Sequence, residues 1–125
     1  MIKGTGVDIT EVSRIKKNLE NEKFLNKIYS QVEIEYLKSK KFNPETAAGM
    51  FAAKEAVSKS LGTGFNNFGP RHIEILKNEM GKPYVNLSGN ALKRAEELEI
   101  ENIHISISHT QDCAVAFCVA EWKSP

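Results

Sequence analysis

Ile2 to Ile9 is a short apolar run interrupted by Gly4 and Gly6, a pattern that predicts a first strand ending at Asp8. The period then changes. Thr10 can cap a helix in which Val12, Ile15 and Leu19 fall at helical spacing while Arg14 and Lys17 share another face. Phe24, Leu25 and Ile28 continue the apolar pattern. Ser30-Gln31-Val32-Glu33 has the form of a capping box, which opens another helix through Ile34 and Leu37; the polar stretch Lys38 to Asn43 ends it. Asn43-Pro44 predicts the next helix start, because proline lacks only an N–H that the first turn leaves unused. No later proline interrupts Glu45 to Leu61 before Gly62-Thr63-Gly64 closes it.

Arg71 to Lys77 and Tyr84 to Leu87 predict two strands joined as a hairpin through Asn78-Glu79-Met80-Gly81. Ser88 can cap a helix through Ala91, Leu92, Ala95 and Leu98, and the alternation of Ile103, Ile105 and Ile107 and the run Cys113 to Ala120 predict two more strands. The order β, helices, ββ, α, ββ favours an α+β fold, a mainly antiparallel sheet packed against a helical layer.

A chain of 125 residues has room for one domain, 1–125. With 41% hydrophobic and 26% charged residues it belongs among soluble globular chains. The net charge of +1 offers no global field for nucleic acid or an anionic membrane, so any polyanion site must be local. Cys113 and Cys118 sit in one strand with opposite parity and cannot pair there. No apolar run reaches spanning length and no leader pattern is present, which predicts a cytoplasmic protein.

Four places could carry chemistry. Asp8 shares its strand face with Gly4 and Gly6, so a carboxylate stands above positions that leave room for something to approach; alone, it reads first as the start of the turn into the helix or as part of its cap. Glu55 shares a helix face with Ala48, Phe51, Ala52, Lys59 and Gly62, an environment that is costly for a carboxylate unless a cation compensates it, although an ordinary Glu55 to Lys59 helix pair explains the spacing too. Lys59, followed by Gly62 and Gly64, combines a cation with backbone that a phosphate could approach, or is a simple helix stop. Ser106 and Ser108 lead into His109, which by apolar parity reads first as a structural residue. The histidines and cysteines show no zinc spacing.

Taken together, Gly4-Thr5-Gly6-Val7-Asp8-Ile9, Phe51-Ala52-Ala53-Lys54-Glu55-Ala56-Val57-Ser58-Lys59 and Ser106-Ile107-Ser108-His109 resemble the holo-[acyl-carrier-protein] synthase family of phosphopantetheinyl transferases, and Gly81-Lys82-Pro83-Tyr84 extends the likeness along the whole chain. The resemblance implies transfer of 4′-phosphopantetheine from coenzyme A to a serine of apo acyl carrier protein, releasing adenosine 3′,5′-bisphosphate, within fatty acid and lipid biosynthesis. It implies Mg²⁺ held by Asp8 and Glu55, which suits an ion that takes one or two carboxylates plus phosphate and water. Lys59 would be catalytic and lie against the pyrophosphate. Gly62, Gly64, Ser108 and His109 would lie near the coenzyme, and Glu33 or Glu35 would serve as general base, with Glu33 equally explained as the capping partner of Ser30. Arg14 and Lys17 would dock the acidic carrier. The family assembles as homotrimers with active sites between subunits. Met50 stands where some relatives have arginine, so a phosphate contact would be missing or would fall to another residue such as Lys54 or Arg71.

Two rival readings keep some of these residues and change their use. A Mg²⁺-dependent phosphohydrolase would use the same carboxylates to activate water and need no protein acceptor. A non-catalytic carrier-binding module would use only the Arg14 and Lys17 helix.

Overall fold

The structure, a computed structural model, describes residues 1–122. Strand β1 (Ile2–Glu11) is followed by three short helices, α1 (Val12–Lys16), α2 (Glu22–Ile28) and α3 (Gln31–Ser39), and by the long α4 (Pro44–Ser60). A single 3₁₀ turn leads into the hairpin β2 (Ile73–Lys77) and β3 (Pro83–Leu87), then α5 (Gly89–Glu97), β4 (Ile100–His109) and β5 (Cys113–Trp122). The α+β architecture is the expected one. β5 lies between β1 and β4, antiparallel to both, and the β2–β3 hairpin forms a second sheet beside β4.

Local signals set most boundaries. The Ser30–Glu33 box closes in both directions, Asn43 accepts from the Thr46 N–H at 3.0 Å, and Pro44 occupies the first turn of α4. The first helix differs from expectation. Thr10 remains in the strand, its hydroxyl donating to Asp8 Oδ2 at 2.9 Å, and the Val12 N–H is taken by the Asp112 carbonyl at 2.8 Å. Asn18 ends α1 early by donating its side-chain amide to the Arg14 carbonyl at 3.0 Å, and Asn21 caps α2 as a separate helix by accepting from Lys23 and Phe24. Ser88 occupies the N-cap position of α5 without a side-chain hydrogen bond.

α4 is the centre of the core, buried along most of its length, and it lies directly on the inner face of the three-stranded sheet. That face is built in rows: Gly6, Cys118 and Ile105; Asp8, Ala116 and Ile107; Thr10, Ala114 and His109. Small residues on β1 and β5 let the helix approach closely. A Cβ on Gly4 would fall 2.1 Å from the Ser60 carbonyl oxygen and one on Gly6 1.9 Å from that of Ala56, so what the two glycines admit is the helix itself. Because backbone faces backbone there, Gly6→Ala can be accommodated only by lifting α4. We expect a loss of at least about 1–3 kcal/mol of stability in denaturant melts, with transfer activity falling beyond the loss of folded protein.

The outer face of the same sheet is uncovered. Val7, Ile9, Val115 and Phe117 are all exposed on it, with Phe117 at 48%. One side of β5 is therefore bare in the single chain.

Candidate active site

The close approach of α4 to β1 is what gathers the first set of functional side chains. Lys59 reaches back over the strand, donating to the Val7 carbonyl at 2.9 Å and standing 3.4 Å from Asp8 Oδ1. One turn earlier on α4, Glu55 comes under the same carboxylate: burial and then the charge of Asp8 push its carboxyl above the ordinary range, with Lys59 and Arg14 opposing. The Asp8 carboxylate is mostly covered and is oriented by the Thr10 hydroxyl, whereas Lys59 is half exposed. Two acidic groups from distant parts of the chain are thus near enough for the charge of one to act on the other. Two neighbouring carboxylates whose repulsion Lys59 and Arg14 offset only in part are hard oxygen donors of the kind a divalent cation takes. Asp8 and Glu55 fit it.

Arg14 projects from α1 toward the same place, its guanidinium 5.3 Å from the centre of the Phe51 ring. Together with Ile9, Glu11, Ser13 and Lys17 it lines a shallow depression where β1 meets α1.

Gly62 and Gly64 follow α4 in left-handed conformations, φ 79° and 59°, which only glycine adopts freely. They sit beyond the Lys59 end of the helix. His109 does not. It lies at the far edge of the sheet against the start of α4, its Nδ1 3.0 Å from Glu45 Oε2. Glu45 and Lys59 are fourteen residues apart along α4, about 21 Å, and Asp8 and Ile107 end a row two strand spacings wide, about 10 Å. One chain therefore holds the expected coenzyme residues in two places. Ser108 has the outer parity, on the face of Val115, and points away from both.

Several expectations are corrected here. Glu33 is fully buried: its Oε1 accepts from the Ser30 N–H at 2.8 Å and from Lys54 Nζ at 2.6 Å, and its Oε2 from the Ile75 N–H at 2.8 Å. It has no path to a substrate proton and is no general base. Glu35 is exposed on α3 with Gln31 as partner at 3.4 Å, and α3 packs on β2, at the hairpin side of the molecule. Lys54 cannot supply a phosphate contact in place of Met50, being fully buried and also donating to the carbonyls of Pro70 at 3.0 Å and Ile73 at 2.6 Å. Arg71 is engaged with the Asn26 carbonyl at 3.2 Å.

Beside His109 the structure shows a feature that the residues alone did not announce. A cavity of about 500 Å³ lies between α3, α4, the hairpin and β4, walled by Tyr36, Met50, Tyr84 and Ile107, with Lys77 and His109 at its margin. Its walls come from four distant segments, of which His109, Met50 and the Gly81-Lys82-Pro83-Tyr84 stretch had drawn notice singly in the sequence.

Residues 4–118 match the 4′-phosphopantetheinyl transferase superfamily, and the chain belongs to that family. Among its relatives, the holo-[acyl-carrier-protein] synthase of Clostridium botulinum (strain Alaska E43 / Type E3) is 52% identical over 97% of this chain and 98% of its own. That of Halothermothrix orenii is 47% identical over 97% of this chain and 98% of its own. Of solved structures, the holo-(acyl-carrier-protein) synthase from Bacillus anthracis str. Ames in complex with CoA (3′,5′-ADP) is 37% identical with a TM-score of 0.82, the match covering 98% of this chain and 99% of that one. The Plasmodium yoelii acyl carrier protein synthase with ADP bound is 34% identical with a TM-score of 0.89, over 99% and 98% of the two chains.

Proposed function

We propose that the chain transfers 4′-phosphopantetheine from coenzyme A to a serine of apo acyl carrier protein and releases adenosine 3′,5′-bisphosphate. The observation that carries this reading is the meeting of Asp8, Glu55 and Lys59 beneath a half-open surface, in a chain of this family. In the reaction the serine hydroxyl gives up its proton to solvent water as its oxygen bonds to the β-phosphorus, the bond from that phosphorus to the bridging oxygen breaks, and the adenosine side leaves carrying the electron pair. Mg²⁺, when bound by Asp8 and Glu55, supplies charge neutralisation at the pyrophosphate. Lys59 is held by the Val7 carbonyl and by Asp8 Oδ1 with a further ammonium proton left over, so it can donate to a phosphate oxygen as negative charge moves toward the leaving group. Thr10 fixes Asp8 in one orientation. Gly62 and Gly64 present backbone without side-chain bulk next to Lys59.

Arg14 and Lys17 dock the carrier, whose acidic surface they complement. Arg14 stands near enough to Glu55 to act on its charge, so a carrier seated there would deliver its serine to the phosphates. Arg14→Glu is expected to raise the carrier KM about tenfold, an effect that shrinks as salt screens the pair. An unchanged KM in low salt removes α1 from the docking surface.

The working unit is a ring of identical chains, a homotrimer. Support comes from two directions. Val7, Ile9, Val115 and Phe117 form an apolar patch on the outer sheet face. The 3′-phosphate and the pyrophosphate of coenzyme A hang on one ribose, so a nucleotide held near Lys59 cannot touch His109 of the same chain across the width of the sheet. A head-to-tail neighbour, its β4 edge beside the first chain's β1 edge, reunites the two halves, and such heterologous contacts close into rings. Phe117→Asp is expected to give monomers by light scattering and to abolish transfer. A wild-type protein that is monomeric at assay concentration would sink the assembly.

We place the enzyme in the cytoplasm, where coenzyme and carrier are made, serving fatty acid and lipid biosynthesis. Among the described residues no helix is long and apolar enough to cross a membrane. The test of the function is incubation with coenzyme A, Mg²⁺ and an apo carrier, followed by mass spectrometry. The expected product is a phosphopantetheine adduct on the carrier serine; free phosphopantetheine with an unmodified carrier would instead mark a hydrolase.

A further inference from the structure

α5 carries a charged residue where its apolar stripe calls for a hydrophobic one. Ala91, Ala95 and Leu98 recur at helical spacing on the covered side of the helix, and Arg94 stands among them with its side chain only one-third exposed, while Leu92 is turned out to solvent. The guanidinium is spent on the end of another helix. Its Nε donates at 3.1 Å to the carbonyl of Leu61, the first residue past α4, and its Nη2 lies 3.7 Å from where a Cβ on Gly62 would stand. Nη1 is 3.5 Å from Glu97 Oε2, one turn further along α5.

The loop after α4 supplies its own donors to the last turn of that helix. The Leu61 N–H goes to the Val57 carbonyl at 3.1 Å, the Gly62 N–H to that of Lys59 at 3.0 Å and the Gly64 N–H to that of Ser58 at 3.2 Å. The Leu61 carbonyl takes its donor from α5 instead. That carbonyl and the Gly62 N–H belong to one peptide group, so Arg94 holds one end of it while the other closes the turn on Lys59, the residue that reaches back to Val7 and Asp8. Gly62, at φ 79°, has no Cβ to resist a flip of this peptide, so the restraint must come from outside the loop. A guanidinium suits the place electrostatically too, because the helix dipole leaves partial negative charge on the end carbonyls. We infer that Arg94 is a positioning residue for the transfer: by fixing the peptide between Leu61 and Gly62 it holds the last turn of α4, and with it the Lys59 ammonium, where the phosphates pass. The inference rests on the transferase reading and deepens it, giving α5 a part in the rate without contact with either substrate.

The experiment compares wild type, Arg94→Gln and Arg94→Met by initial rates of carrier modification. Glutamine places an N–H donor at the same number of bonds from the backbone as the arginine Nε but lacks the charge, whereas methionine has similar length and no donor. At matched folded fraction Arg94→Met is expected to lower kcat about tenfold, the worth of one hydrogen bond from a charged group, with KM for coenzyme A and for carrier within about twofold of wild type. Arg94→Gln should recover most of the rate. In a Lys59→Ala background Arg94→Met should change kcat by less than about twofold, because the arginine acts through that lysine. A wild-type kcat in Arg94→Met, a glutamine variant as slow as the methionine one, or the full loss repeated in the Lys59→Ala background overturns the assignment. If wild type modifies no carrier, the transferase reading fails, and amide hydrogen exchange then decides the arginine by itself. The Gly62 N–H should exchange about tenfold faster in Arg94→Met than in wild type, and an unchanged rate would mean that Arg94 does not hold this peptide.

Discussion

A Glu55→Gln enzyme is expected to transfer phosphopantetheine at least a hundredfold more slowly than wild type, with its fold intact, since losing one ligand of a metal that neutralises a pyrophosphate costs about 3 kcal/mol or more in the transition state. The same change should help the metal-free fold. The Glu55 carboxyl titrates above its ordinary value because burial and Asp8 both disfavour its charge. Between the unfolded and the folded pKa the folded state binds the extra proton, so the stability that protonated Glu55 contributes is full below the unfolded value. It is lost as pH rises through the folded one. Melting temperatures of the metal-free wild type should accordingly fall over that window, and those of Glu55→Gln should not. Added Mg²⁺ should raise the wild-type melting temperature more at neutral than at acid pH, because the ion needs the ionised carboxylate, and should leave the variant unchanged. A variant that keeps a tenth of the wild-type rate, or one that Mg²⁺ stabilises as before, would remove Glu55 from the metal site.

The cost carried by Glu55 marked it as unusual without settling its use: an ordinary helix pair with Lys59 stood level with a site, and the resemblance of the motifs is what joined it to Asp8. A glutamate among alanines and a phenylalanine breaks the rule that charged groups face water, and Asp8 above two glycines breaks the rule that strands fill their inner face. Departures of this kind are visible locally. The three short helices were less legible, since Asn18 and Asn21 act through side-chain hydrogen bonds to backbone that the apolar period does not record. Least legible was anything that depends on which edge of the sheet a residue reaches. His109 and Lys59 carry equally clear motifs, yet the register of β1, β5 and β4 puts them at opposite borders of the sheet.

Glu33 shows the opposite failure, a site residue suggested by position and reassigned by burial, and its pairing with Lys54 predicts the largest stability effect in the chain. Both side chains are fully buried at 2.6 Å separation, and between them they satisfy the N–H groups of Ser30 and Ile75 and the carbonyls of Pro70 and Ile73. Burial pulls the Lys54 ammonium below its usual range while Glu33 pulls it back. The pair thus ties the start of α3 and the entry to β2 onto the middle of α4, the helix that also carries Glu55 and Lys59. Lys54→Met keeps the length of the side chain but leaves a carboxylate and two carbonyls without their donor, so it should cost about 3–5 kcal/mol and lower Tm by roughly 10 °C or more. Glu33→Gln should cost less, since an amide oxygen can still accept from Lys54 but the second backbone N–H meets an NH₂ group. At matched folded fraction Glu33→Gln should retain most of the wild-type kcat, where a general base would lose orders of magnitude. The double variant should be less destabilised than the sum of the singles, the mark of direct coupling. Additive losses, or a Lys54→Met protein within about 1 kcal/mol of wild type, would mean that this buried pair does not anchor α4.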